Sequence, residues 1–358
     1  MTTTYSPSPV TRLTASGAQR VPPFAVISGA QVQRALLGQE RHIVELVEAA
    51  YRLHAAGHSV NPPSCFLRFD DRPSSRIIAL PASLGGETRV DGLKWISSFP
   101  QNVTAGIPRA SAVLILNDHD TGYPFACLES SIISASRTAA SAALAADWLS
   151  RHRPRPTRLG FVGTGLIARY IHTFLARTGW SFENIGVFDL SPDNAAAFRC
   201  CLEQSGAMGP VTVHDNAEQV IRLSDLVVFA TVAARPHVHD PEWFAHGPLV
   251  LHISLRDLAP TVLLASANFV DDIEHCLRAD TSPHLTEQVS GGRQFLDGTL
   301  EDVMAGRVIP PPGRPVVFSP FGLGVLDLAV GKYVYDQVAE SGDLQVVGDF
   351  FHELNRYG

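Results

Sequence analysis

The segment Leu159-Gly160-Phe161-Val162-Gly163-Thr164-Gly165-Leu166-Ile167-Ala168 constrains the fold more than any other. An apolar run ends in G-x-G-x-x-A and passes straight into a second apolar stretch, which predicts a strand, a tight turn and a helix. Gly163 permits the turn, Gly165 lets the backbone approach a pyrophosphate, and Ala168 lets helix and strand pack closely. The helix N-terminus adds amide donors and partial positive charge. Around this unit the pattern alternates. Strands are predicted at 158–163, 184–189, 211–213, 226–231, 249–254 and 268–271, and helices over 165–177, 192–205, 216–222 and 259–265. Such alternation specifies an α/β, doubly wound parallel sheet of the Rossmann type. Asp189 closes the second strand. A carboxylate there accepts hydrogen bonds from ribose hydroxyls and repels a 2′-phosphate, so NAD is expected rather than NADP.

The sequence before this region reads differently. Apolar positions from 32 to 54 predict two short helices broken near Gly38, and Asn61-Pro62-Pro63 ends that pattern. Strands are predicted at 64–69, 76–80, 92–97 and 111–116, with a hairpin turn over 117–122 leading into 123–128. Residues 131–149 are rich in alanine and predict a closely packed helix that carries one full charge, Arg137. The first part of the chain is therefore α+β. After about residue 300 the alternation stops. Pro310-Pro311-Pro312-Gly313 reads as a hinge, and Phe318-Ser319-Pro320-Phe321-Gly322-Leu323-Gly324 leads into a terminal helix, a tail expected to fold back onto the first domain.

Composition narrows the function. The 358 residues carry a net charge of −7, which argues against a nucleic-acid surface. Five cysteines without a C-x-x-C pair fit neither a disulfide framework nor a zinc ribbon, and point to reduced thiols in a cytoplasm. No run is long and apolar enough to suggest a membrane span. Residues 1–20, rich in Ser, Thr and Pro, are expected to be a mobile, disordered tail. His237-Val238-His239-Asp240 has the look of a metal cluster, but two histidines two apart with no further ligand read as a solvated loop, and no metal is expected. His252 and Ser254 either line a site or pack in the core.

Three charged residues stand in apolar or small-residue surroundings: Lys94 on a strand, Arg137 on the alanine-rich helix, and Asp257 beyond a Rossmann strand. Each needs a partner or a ligand if it is buried. Gly92-Leu93-Lys94-Trp95, Ser136-Arg137-Thr138-Ala139-Ala140, the G-T-G-L-I-A loop, Asp257 and the F-S-P-F-G-L-G segment occur in the order seen in the ornithine cyclodeaminase/μ-crystallin family. The chain resembles that family over roughly residues 21–340. Within it, Ser64-Cys65-Phe66-Leu67-Arg68-Phe69, Arg76-Ile77-Ile78-Ala79-Leu80-Pro81, Lys94-Trp95-Ile96-Ser97-Ser98-Phe99-Pro100, Gly106-Ile107-Pro108-Arg109-Ala110 and Thr121-Gly122-Tyr123-Pro124 resemble the branch that acts on N-(2-amino-2-carboxyethyl)-L-glutamate.

The resemblance implies a discontinuous substrate and dimerisation domain, 21–145 with 310–358, into which the Rossmann domain, 146–309, is inserted. It implies an NAD-dependent amino-acid dehydrogenase acting on a CH–NH bond. The products would be 2-oxoglutarate and L-2,3-diaminopropionate, a precursor for siderophores or peptide antibiotics. A homodimer and a PLP-dependent synthase as pathway partner come with that reading. So do residue roles. Arg137, Lys94 and Arg68 would bind substrate carboxylates, with Arg109 a further candidate. Asp257 would be general base, and Lys94 would help polarise the reacting centre. Gly163, Thr164, Gly165, Leu166, Ile167, Asp189, Thr138 and Thr231 would contact the nucleotide. The alternatives are an ornithine cyclodeaminase or related imine-forming or imine-reducing enzyme, and a non-catalytic nucleotide-binding protein of the μ-crystallin kind.

Overall fold

The computed structural model describes residues 21–206 and 209–354; the expected N-terminal tail lies outside them. The described chain divides into two compact units. One holds 21–39, 56–134 and 324–354; the other holds Glu40–Ala55 and Ala135–Leu323.

The second unit is built on an eight-stranded sheet. Its strands run in the order Val211–Val213, Asn184–Phe188, Arg158–Val162, Leu226–Phe229, Leu249–His252, Val316–Ser319, Ala267–Val270 and Leu296–Thr299. Every pairing is parallel. The central strands are continuous apolar runs, such as Leu226-Val227-Val228-Phe229, buried at every position. That is the signature of a sheet covered on both faces.

The sheet corrects the reading of the tail. Val316–Ser319 is an interior strand between Leu249–His252 and Ala267–Val270, with all four residues buried. The alternation was hidden because 271–315 interposes the short helices Ile273–Cys276, Ser282–Ser290 and Leu300–Met304 and an edge strand, so spatial order departs from chain order. The helix Glu40–Ala55 also falls in this unit. Tyr51 Oη lies 2.8 Å from Ser141 Oγ in the interior, and Arg52 stacks over Trp148.

The first unit carries a mixed sheet in the order Gln345–Val347, Phe24–Ile27, Pro124–Glu129, Ala110–Asp118, Val90–Ser98, Arg76–Leu84 and Ser59–Val60. Cys65–Arg68 also pairs with Arg76–Leu84. The expected hairpin forms between Ala110–Asp118 and Pro124–Glu129, closed by the Gly122 N–H on the Asp118 carbonyl. Alternate residues Leu80, Ala82, Leu84, Val90 and Lys94 are buried on one face, where the helix Gly324–Glu340 packs. Glycines set that approach. A Cβ on Gly92 would stand 2.7 Å from Leu328 Cδ2, and one on Gly331 would stand 2.2 Å from Leu114 Cδ2.

Candidate active site

The glycine loop sits where the sheet order reverses, between Arg158–Val162 and its neighbours Asn184–Phe188 and Leu226–Phe229. Gly163 has φ of +90°, and a Cβ there would meet the Ala230 carbonyl oxygen at 2.7 Å and the Thr231 amide at 3.0 Å. Only glycine satisfies both constraints. Gly165 is the N-cap of the helix Leu166–Arg177, which has no side-chain cap, and open space faces its Cα. The first amides of that helix are left for an anion, as a pyrophosphate requires. Leu166, half exposed, and Ile167 form its first turn. Asp189 follows the second strand. Its Oδ2 accepts the amide and hydroxyl of Thr164, both at 2.9 Å, and its Oδ1 accepts the Ser191 amide at 2.9 Å. Of about four lone-pair positions on a carboxylate, one remains for a ligand hydroxyl. The loop and its acid fit a dinucleotide.

Next to that loop lies Asp257, fully buried. It accepts the Thr231 and Ser254 hydroxyls and the His237 Nε2–H, the last at 3.0 Å. His252 Nε2 stands 3.1 Å from the Asp257 amide and 3.2 Å from its carboxylate. Nδ1 of the same ring faces Ser319 Oγ at 3.1 Å. Burial opposes ionisation, but the hydrogen bonds from His237 and Ser254, with the His252 imidazole beside it, outweigh it and hold the carboxyl well below the usual carboxylate range. Leu255, two residues earlier, is in the left-handed region at φ of +67° although its side chain is buried. A non-glycine residue held there stores strain beside the buried acid. Thr231 touches both the glycine loop and Asp257, so the two features are contiguous.

Arg137 is buried on the helix Ser131–Ser150, with Thr138 beside it. Its guanidinium rests against Gly322: φ there is +91°, and a Cβ would lie 2.5 Å from Nη1. That explains the glycine in the F-S-P-F-G-L-G segment. Asp271 pins the segment by accepting the amides of Phe321 at 2.9 Å and Gly322 at 2.7 Å. Burial raises the Asp271 carboxyl above its usual range, against the lowering effect of those amides. The Cys276 thiol donates to Asp271, and burial pushes it far above a reactive thiol.

In the first unit, Lys94 is buried and its ammonium contacts Asp327 at 2.7 Å and Ser134 Oγ at 3.2 Å. Asp327, on the helix Gly324–Glu340, is fully buried. The sequence reading missed it, because one acid in an apolar helix has no spacing that announces a partner 233 residues away. The same sheet face carries a second cationic group. Arg68, Arg76, Ser98 and Ala110 lie in one row across four strands. Residues in such a row share a face. Arg109 reaches the row by donating from Nη1 to Ser98 Oγ at 2.7 Å. Arg76 is a residue the sequence reading passed over; only strand register reveals it. Neither Arg68 nor Arg109 meets a carboxylate among the described residues. Burial lowers the Arg109 guanidinium from its ordinary value. Among the described residues no group of three or more His, Cys, Asp or Glu is arranged for a metal, and no helix is long and apolar enough to cross a membrane.

Residues 26–342 match the Ornithine cyclodeaminase/mu-crystallin family. The chain belongs to this family. It is 29% identical, over 83% of its length and 90% of the relative's, to N-((2S)-2-amino-2-carboxyethyl)-L-glutamate dehydrogenase of Staphylococcus aureus. The crystal structure of CmnK superposes with a TM-score of 0.81 at 30% identity, covering 92% of this chain and 99% of that one. An archaeal alanine dehydrogenase dimer with bound NAD superposes with a TM-score of 0.80 at 26% identity, covering 91% and 99%.

Proposed function

We propose that this chain is an NAD-dependent amino-acid dehydrogenase that converts N-(2-amino-2-carboxyethyl)-L-glutamate and water to 2-oxoglutarate and L-2,3-diaminopropionate. The broader part, an oxidoreductase working at a CH–NH bond, rests on family membership and on a glycine loop with open amides and a partly committed Asp189. Gly165, Leu166 and Ile167 at the helix start are assigned to the pyrophosphate, Thr164, whose amide and hydroxyl both go to Asp189, to shaping the loop, and Thr138 and Thr231 to positions further along the nucleotide. NAD, when bound, supplies the hydride acceptor.

The observation that carries the finer part is the arginine row. Arg68, Arg76 and Arg109 converge on one sheet face, and two of them lack an acidic partner among the described residues. A guanidinium in that state is suited to a ligand carboxylate. A substrate with three carboxylates uses such a set; a small monocarboxylate such as alanine does not. Arg137 takes the α-carboxylate. Lys94, already neutralised by Asp327, acts by holding local charge in balance and does not add a free cation. Proton handling is assigned to Asp257 and its partners. A homodimer is supported by Leu67, Trp95 and Val113, which are exposed together on the sheet face opposite the terminal helix. The substrate requires an upstream synthase, assigned to the PLP-dependent class, and the product suits siderophore or peptide-antibiotic precursor supply.

Incubating the protein with NAD and each candidate substrate tests this reading. Net NADH with equimolar 2-oxoglutarate from the carboxyethyl-glutamate supports it. Proline and ammonia from ornithine without net NADH contradicts it in favour of a cyclodeaminase, and NAD binding without turnover contradicts it in favour of a carrier.

A further inference from the structure

Asp257 is an unsuitable base on its own. It is fully buried, four side chains address its carboxylate, and its acidity is held high. A proton acceptor works best when its affinity matches ambient pH and it can reach the proton. The one partner that extends outward is His237, whose side chain is 40% exposed. Its backbone is clamped as well: the His237 and Val238 amides both donate to the Asp257 carbonyl, at 2.9 and 3.0 Å. With Nε2 bonded to Asp257, Nδ1 has no hydrogen-bond partner among the described residues. On the far side His252 and Ser319 buttress the carboxylate. The result is a chain from a buried serine through an imidazole and a carboxylate to a second imidazole with a free edge, next to Thr231 and the glycine loop.

We propose that His237 is the group that carries protons in this site, and that Asp257 is its positioning residue. The proposal rests on the reaction assigned above. Oxidation of the secondary amine leaves an iminium carbon. Water adds to it as the C=N π pair moves to nitrogen, and Nδ1 of His237 takes a water proton, giving a neutral carbinolamine. That proton then returns to the amine nitrogen. The hydroxyl O–H pair forms the carbonyl as the C–N bond breaks, and the hydroxyl proton passes to the same Nδ1. Asp257 supports the transient imidazolium without accepting a proton itself. The pairing of His237 with Asp257 is a tertiary fact that the His237-Val238-His239-Asp240 loop does not show by itself.

Two measurements test the proposal. His237→Ala should lower kcat by about 100-fold or more while leaving the Kd for NAD unchanged, and added imidazole should restore part of the loss. His237→Gln, whose Nε2 can keep the donor to Asp257, serves as the folding control. Turnover of His237→Ala within about threefold of wild type, or loss with no rescue while the fold is intact, overturns the proposal. Independently of activity, nitrogen NMR of the NAD-bound protein should show His237 as the Nε2–H tautomer, with that preference lost in Asp257→Asn. An Nδ1–H tautomer in wild type sinks the idea. A wild-type protein inactive on the carboxyethyl-glutamate counts against the assigned substrate, and the NMR result still decides the role of His237.

Discussion

Asp327 and Asp257 are both shut away from solvent, and the two units of the molecule balance these carboxylates in opposite ways. Asp327 is met by one full charge, the Lys94 ammonium at 2.7 Å, inside a sheet–helix interface. Asp257 is met by two hydroxyls and two imidazoles, and one imidazole reaches outward. A buried ion pair of the first kind costs heavily when halved and little when removed whole. A carboxylate of the second kind can share its charge with a group that meets a ligand. On the reading proposed above, the first arrangement organises the protein and the second serves chemistry, although sequence alone places Lys94 and Asp257 in one class.

The largest expected effect comes from halving the pair. Lys94→Met or Asp327→Leu alone should cost about 3–5 kcal/mol in urea denaturation, and the double variant should recover much of that loss. Additive losses in the double variant would break the comparison, because each residue would then have a separate partner. A smaller effect sharpens the other half. Asp257→Asn leaves buried donors poorly matched and should cost about 1–3 kcal/mol at neutral pH. The sign with pH follows from the depressed carboxyl. Its stabilisation is complete above the unfolded value of about 3.9 and is lost as pH falls toward the lower folded value. The stability gap between wild type and Asp257→Asn should therefore stay flat from about pH 7 to 5 and narrow only in stronger acid. A gap that closes near neutrality would mean the carboxyl is not held ionised by its donors.

The parts of the fold that follow local pattern were legible in the sequence. The strand, loop and helix around Gly163 and the hairpin strands Arg76–Leu84 and Val90–Ser98 announce themselves through periodicity and turn residues. The strands Phe24–Ile27 and Gln345–Val347 are too short for any period to show. Val316–Ser319 was misassigned because a strand's place in a sheet depends on pairing, which its own four residues do not encode. At the candidate site, Lys94, Arg137 and Asp257 stood out as charges in apolar contexts. Asp327, Asp271, Arg76 and His237 did not, because each acquires meaning from a neighbour remote in sequence. Gly322 is the instructive intermediate. Its motif was visible, and the reasons for it, a φ of +91° and the Arg137 guanidinium beside its Cα, were not.

The most direct test of the account is Arg137→Ala, assayed for NAD affinity by calorimetry and for turnover with the carboxyethyl-glutamate. The account predicts a Kd for NAD unchanged from wild type and no measurable NADH, since the loop that holds the nucleotide is intact and the α-carboxylate has lost its guanidinium. Near-normal turnover in that variant would contradict it.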